Sequence, residues 1–200
     1  MIEVIVQKIV DGQIKEGSID ESEKDVYLYG YRMLIELSVN IIASILIAVL
    51  FQAYAIVLIF TVAFLFIRGY VGGYHAKTSL GCFCFSVATL LTSIIAVEGV
   101  SVLTYGYFFF LLEVIMLPCI FIGTPIPNVN KPITENERVY FNKKVKQIYV
   151  IELLVEIVLL FVGRDTFALS ILAVHVVLFI MVLPETVQKI RIARLNKVKN

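Results

Sequence analysis

The sequence predicts an all-α integral membrane protein, with about six transmembrane helices and an N-terminal amphipathic helix at the membrane interface. Three observations carry that prediction. Of the 200 residues, 60% are hydrophobic and 16% charged, with a mean hydropathy of +0.92, well outside the composition of an ordinary soluble domain. Apolar runs of membrane-spanning length recur between short polar breaks. The cations fall almost wholly on one side of the implied crossings. A chain of 200 residues holds roughly six spans of about 20 residues with short connections, so a single polytopic membrane domain is expected over 1–200.

Residues 1–25 set Ile2, Ile5, Val6, Ile9 and Val10 at helical spacing among polar residues, too short and too polar to span, and so read as an interfacial segment. Lys8, Lys15 and Lys24 stand there against Glu3, Asp11, Glu16, Asp20, Glu21, Glu23 and Asp25, a pattern that excludes the basic and apolar regions of a cleavable signal peptide. From Ser38 to Ile67 the chain is nearly continuously apolar, about 45 Å as one helix and too long for one crossing. Gln52 divides it. The first helix then begins near Val26, with Tyr27, Tyr29 and Tyr31 as an interfacial aromatic belt, and the second runs from about Tyr54 to Ile67. A glycine-rich polar break from Arg68 to Ser79 precedes a third helix, Leu80 to Val97, and a fourth, Thr104 to Ile122. Gly123 to Gln147, with Pro125, Pro127 and Pro132 and many charges, reads as a polar loop. Ile148 to Val162 and Phe167 to Leu183 complete the six, divided by the Gly163-Arg164-Asp165 turn. Pro184 is expected to close the last helix, leaving the transmembrane part at 26–184 and a basic cytoplasmic tail at 185–200.

With a cytoplasmic N-terminus, this division puts sixteen of the 17 Lys and Arg residues on the cytoplasmic side and only Arg164 outside. Both termini are therefore expected in the cytoplasm of a multi-pass cell-membrane protein. A formal net charge of +1 gives no global attraction to nucleic acid, and the lipid bilayer is the expected partner instead. Cys82, Cys84 and Cys119 are odd in number and form no paired CxxC motifs, which predicts reduced thiols rather than a disulfide framework.

The break after the second helix holds His75 and, seven residues on, Cys82. A thiol becomes a nucleophile when ionised, which a nearby imidazole and a helix N-terminus both favour. Thr78 or Ser79 is a natural N-cap for the third helix and sets Cys82 in its first turn. Along one continuous helix the two residues would lie about 10.5 Å apart, beyond hydrogen-bond reach, so the chain must turn between them. Gly72 and Gly73 supply that freedom. On the residues alone, a polar loop beside a small packing cysteine explains the pattern as well. A zinc site on His75, Cys82 and Cys84 lacks a fourth ligand nearby, so neither metal nor other cofactor is expected.

The run Arg68-Gly-Tyr-Val-Gly-Gly-Tyr-His75-Ala, followed by Cys82, resembles the AgrB family, the accessory gene regulator membrane endopeptidases. The likeness extends to Tyr31-Arg-Met-Leu-Ile-Glu36 and to Pro127-Asn-Val-Asn-Lys-Pro132, and so covers essentially the whole chain. It implies a cysteine endopeptidase of quorum sensing that cuts the C-terminal tail from an AgrD-like propeptide and promotes its cyclisation to an autoinducing peptide. His75 and Cys82 are then the catalytic pair, while the additional Cys84 departs from the pattern and offers a second sulfur. The resemblance also implies Glu or Gln at position 36, where Glu36 would orient His75 in a Cys-His-Glu arrangement. An ion pair with Arg32 one turn earlier explains Glu36 equally well. Arg68 and Lys77 flank the segment as candidates to hold an acidic propeptide tail, or as ordinary topology anchors.

Glu113, Glu152 and Glu156 lie within spans, where carboxylates are costly without partners. Packing or oligomer contacts explain them, and their need for partners predicts a homodimer. His175 is expected to be a packed, hydrogen-bonded residue rather than a ligand. Read differently, the same carboxylates suggest a small peptide or solute transporter, although no inverted repeat is visible. A non-catalytic membrane scaffold is the third reading, and its thiol would be dispensable.

Overall fold

The structure is a computed structural model and describes residues 2–72, 79–99, 102–126 and 134–199. These form seven helices: α1 (Ile2–Lys15), α2 (Lys24–Phe51), α3 (Tyr54–Val71), α4 (Ser79–Gly99), α5 (Val102–Gly123), α6 (Glu135–Phe161) and α7 (Asp165–Lys199). A short 3-10 turn, Glu21–Glu23, leads into α2, and no strand forms among the described residues. Helices α2, α3, α4 and α7 are each long and apolar enough to cross a bilayer, which makes the chain a multi-pass, all-α membrane protein. Four of the expected six spans meet that standard. Among the described residues α5 offers the shorter apolar stretch Leu111–Gly123, and α6 carries Glu152 and Glu156 in its apolar half.

The apolar run predicted to break at Gln52 does so. Gln52 takes a left-handed conformation at φ 54° and ψ 23°, and Ala53 donates back to the Ala48 carbonyl at 3.1 Å, which ends α2 before α3 begins. Left-handed backbone disfavours any residue bearing a Cβ. Gln52→Gly is therefore expected to raise the thermal midpoint in detergent, by about 0.5–1 kcal/mol of stability. A lowered midpoint would show that the Gln52 side chain contributes more than its backbone costs.

Three expectations are corrected. The polar break expected from Arg68 starts later, because α3 runs through Val71 and Arg68 lies in its last turn. The segment 123–147 is not a loop throughout, because α6 begins at Glu135. Thr134 and Glu137 form a reciprocal capping box at that start, and Val145 and Tyr149 are fully buried along the continuing helix. Pro184 lies inside α7 instead of closing it, and residues 185–199 extend the helix. That extension is fastened to the end of α5: Thr186 Oγ1 donates to the Cys119 carbonyl at 2.8 Å, and Lys189 Nζ donates to the Gly123 carbonyl at 2.9 Å. A proline forfeits one backbone donor, and these cross-helix bonds hold the part of the helix that follows it. Gly123 permits the close approach, since a Cβ there would collide with Val182 and Thr186.

The core runs between α3 and α7. Ile56, Phe60, Ile67 and Val71 of α3 pack with Val174, Leu178 and Val182 of α7, joined by Met116 and Ile120 of α5 and Tyr149 of α6. Helix α2 buries only Ile47 and Ala48 and turns Val26, Leu34, Ile42, Ile45, Leu46 and Leu50 outward. In water that surface would aggregate; in lipid it is the ordinary outer face of a span. Helix α1 buries Val6 and Val10 and is tied to α2 by Asp11–Lys24 at 2.7 Å and Glu3–Arg32 at 3.4 Å. Of its other apolar residues, Val4, Ile5 and Ile9 are exposed and Ile2 and Ile14 half-buried.

Candidate functional site

Three helices bring together three of the residues singled out from the sequence. Cys82 is the fourth residue of α4, in its first turn and half-buried. Its sulfur lies within Coulombic range of the Glu36 carboxylate on α2 and the Arg68 guanidinium in the last turn of α3. The thiol thus meets one positive and one negative neighbour from separate elements. Glu36 also accepts from Arg32 Nε at 3.1 Å, and Arg32 reaches on to Glu3 of α1. The i, i+4 pair weighed for Glu36 therefore exists, with the Glu36 side chain only 16% exposed beside it. Cys84 is exposed, about 200° around α4 from Cys82. His75 and Lys77 lie outside the described residues, as do Gly73 and Thr78.

The chain leaves α3 through Gly72, at φ 72° and ψ −160°. There it meets the end of α5: Ile126 donates its N–H to the Val71 carbonyl at 2.8 Å, and Gly72 and Ile126 form an isolated bridge. A Cβ on Gly72 would stand 2.5 Å from the Ile126 carbonyl oxygen, so the contact demands glycine for space as well as for conformation. Gly72 precedes the segment that carries His75, and Ile126 precedes Pro127–Pro132. Two stretches more than fifty residues apart in sequence thus start from paired backbone positions. Asn142 of α6 secures the same corner by donating to the Phe121 and Thr124 carbonyls at 3.1 and 2.8 Å.

A second polar group lies apart, between α5, α6 and α7. His175 Nδ1 is 2.8 Å from Glu113 Oε1, His175 Nε2 is 3.3 Å from Glu152 Oε2, and Tyr149 donates its hydroxyl to Glu113 Oε2. The Tyr149 and His175 rings stack at 4.1 Å. His175 is hydrogen-bonded and fully buried, as expected of it. His175 and Tyr149 supply hydrogen-bond partners for Glu113 and Glu152 within the chain, whereas Glu156 Oε2 accepts no hydrogen bond. Spacing alone reveals part of this group, because Tyr149, Glu152 and Glu156 follow at three and four residues and share one face of α6.

A family model described as Accessory gene regulator B, AgrB, matches residues 2–183. Two curated relatives from Clostridium perfringens, both named only as AgrB-like, are similar to this chain: 27% identical over 173 residues in strain SM101 and 25% over 173 residues in strain 13. Each alignment spans 78% of this chain and 76% of the relative. No solved structure matches the chain significantly.

Proposed function

The chain belongs to the AgrB family, and from that premise we propose that it is a membrane-embedded cysteine endopeptidase. It removes the C-terminal tail of an AgrD-like propeptide and promotes cyclisation of the remainder to an autoinducing peptide for quorum sensing. The observation that carries this reading is Cys82 in the first turn of α4, within reach of charged side chains from two further helices. The first backbone amides of a helix lack intrahelical partners and favour an anion there.

In the proposed reaction His75 takes the Cys82 thiol proton, and the sulfur adds to the scissile carbonyl carbon. The C–N bond breaks, His75 returns the proton to the leaving amine, and a thioester joins the propeptide to Cys82. A Cys or Ser side chain within the propeptide then attacks that thioester carbonyl, closing the ring and returning the Cys82 thiol. Water would divert the thioester to a linear acid, so a site at the membrane boundary that excludes it favours the ring. Glu36 orients His75 in addition to pairing with Arg32, while Arg68 and Lys77 hold the acidic tail of the substrate. The chain crosses the membrane six times with both ends in the cytoplasm, a proposal supported by the sixteen-to-one distribution of cations.

Co-expression with a candidate propeptide encoded beside the gene, followed by mass measurement of the peptide, tests this. A shortened peptide is expected. A peptide or solute that crosses the membrane at full length would instead establish the transporter reading. In intact cells, single cysteines placed at either terminus or within 135–147 are expected to resist a membrane-impermeant thiol reagent. Labelling of 135–147 from outside would overturn the six-span topology.

A further inference from the structure

We infer that Glu113, Glu156 and His175 form a binding site for one divalent transition-metal ion, which pins α5, α6 and α7 together inside the membrane. Oxygen atoms of the two carboxylates and a ring nitrogen of His175 lie within 4.8 Å of one another. Two ligands on one ion, each at about 2.1 Å, stand at most about 4.2 Å apart, so small side-chain rotations close the site. One imidazole with two carboxylates is a donor set that suits Zn²⁺ and its neighbours.

The surroundings are those of a metal site. Tyr149 donates to the outer oxygen of Glu113 and so orients that carboxylate. His175 Nδ1 stands 2.8 Å from Glu113 Oε1 and 3.8 Å from Glu156 Oε2; with an ion bound there in place of the Nδ1 proton, Nε2 keeps its proton and donates it to Glu152 Oε2, 3.3 Å away. A carboxylate behind the imidazole and a hydroxyl behind a ligating carboxylate are the usual supports of bound metal. Glu156 supplies the independent pointer: it is 5% exposed, and its Oε2 has no hydrogen-bond partner although it faces His175.

Full-length protein purified in detergent, stripped with a chelator and then titrated with Zn²⁺ or Co²⁺, tests the site. About one ion per chain is expected to survive gel filtration, Zn²⁺ to raise the thermal midpoint, and Co²⁺ to show visible d–d absorption. Glu156→Gln preserves shape and breaks no hydrogen bond at Oε2; it is expected to weaken Zn²⁺ binding by at least about 100-fold, and Tyr149→Phe by about 10–100-fold. A variant with all three cysteines replaced is expected to keep the ion. The inference is overturned if Glu156→Gln binds as the parent does, if the cysteine-free variant loses the ion, or if chelation leaves the parent's midpoint unchanged. The last measurement decides the matter even where a variant fails to fold. None of these arms depends on propeptide cleavage.

Discussion

Cys82→Ala is expected to abolish propeptide cleavage while the protein inserts and purifies as before, whereas Cys84→Ala retains cleavage. Removing the nucleophile of a coupled nucleophile–base pair typically costs roughly four orders of magnitude or more in rate, because the remaining groups cannot act without it. Alanine at 82 leaves a half-buried methyl in an apolar helix, so loss of activity would not reflect loss of fold. Cys84 is exposed on another face of α4, about 200° around the helix from Cys82. The same co-expression assay reads both variants, and His75→Ala is expected to match Cys82→Ala. Should Cys84→Ala be the inactive protein while Cys82→Ala still cleaves, the nucleophile is misassigned.

Much of the helical frame was legible because membrane spans announce themselves by uninterrupted apolar length. The split at Gln52 and the start of α4 at Ser79 follow from single polar breaks in such runs. Local signals failed where the solvent changes. Between Glu135 and Gln147 the charge density reads as loop, yet the Thr134-x-x-Glu137 spacing of a capping box was present, and Phe141 and Val145 continue the helical face into the apolar half. Pro184 stops an isolated helix, but bonds from Thr186 and Lys189 to the end of α5 hold α7 together beyond it. No pattern in one sequence predicts those pairs.

The two polar groups differ in legibility for a related reason. Around Cys82, the spacing and the family motif point to residues within one stretch of chain, and the structure adds the approach of Glu36 and Arg68. The second group draws on Glu113, Glu152 and His175, up to 62 residues apart, and only the packing of α5, α6 and α7 makes them neighbours. Before that packing is known, each appears as an isolated cost, which is why a second chain seemed necessary to offset it. The fold supplies hydrogen-bond partners for Glu113 and Glu152 within a single copy.

Gly72→Ala is expected to lower both stability and cleavage, whereas Gly69→Ala, three residues earlier in the same motif, does neither. Gly72 has φ 72° and ψ −160°, a region occupied essentially by glycine, where a Cβ costs about 1–3 kcal/mol. The added methyl would also meet the Ile126 carbonyl oxygen at 2.5 Å, and that atom belongs to backbone, which cannot swing aside as a side chain can. Overpacking of this kind adds roughly 1–3 kcal/mol, relieved only by separating Ile126 from Val71. That separation breaks the 2.8 Å hydrogen bond pairing the start of the His75 segment with the start of the Pro127–Pro132 segment. Gly69 sits inside α3 with no atom within 4 Å of its would-be Cβ, so alanine there gains helix propensity of about 0.5–1 kcal/mol. Thermal midpoints in detergent and cleavage in the co-expression assay, measured on both variants, separate the effect of the junction from that of a methyl on this helix. Equal behaviour of the two would mean that the Gly72–Ile126 pairing does not hold the site.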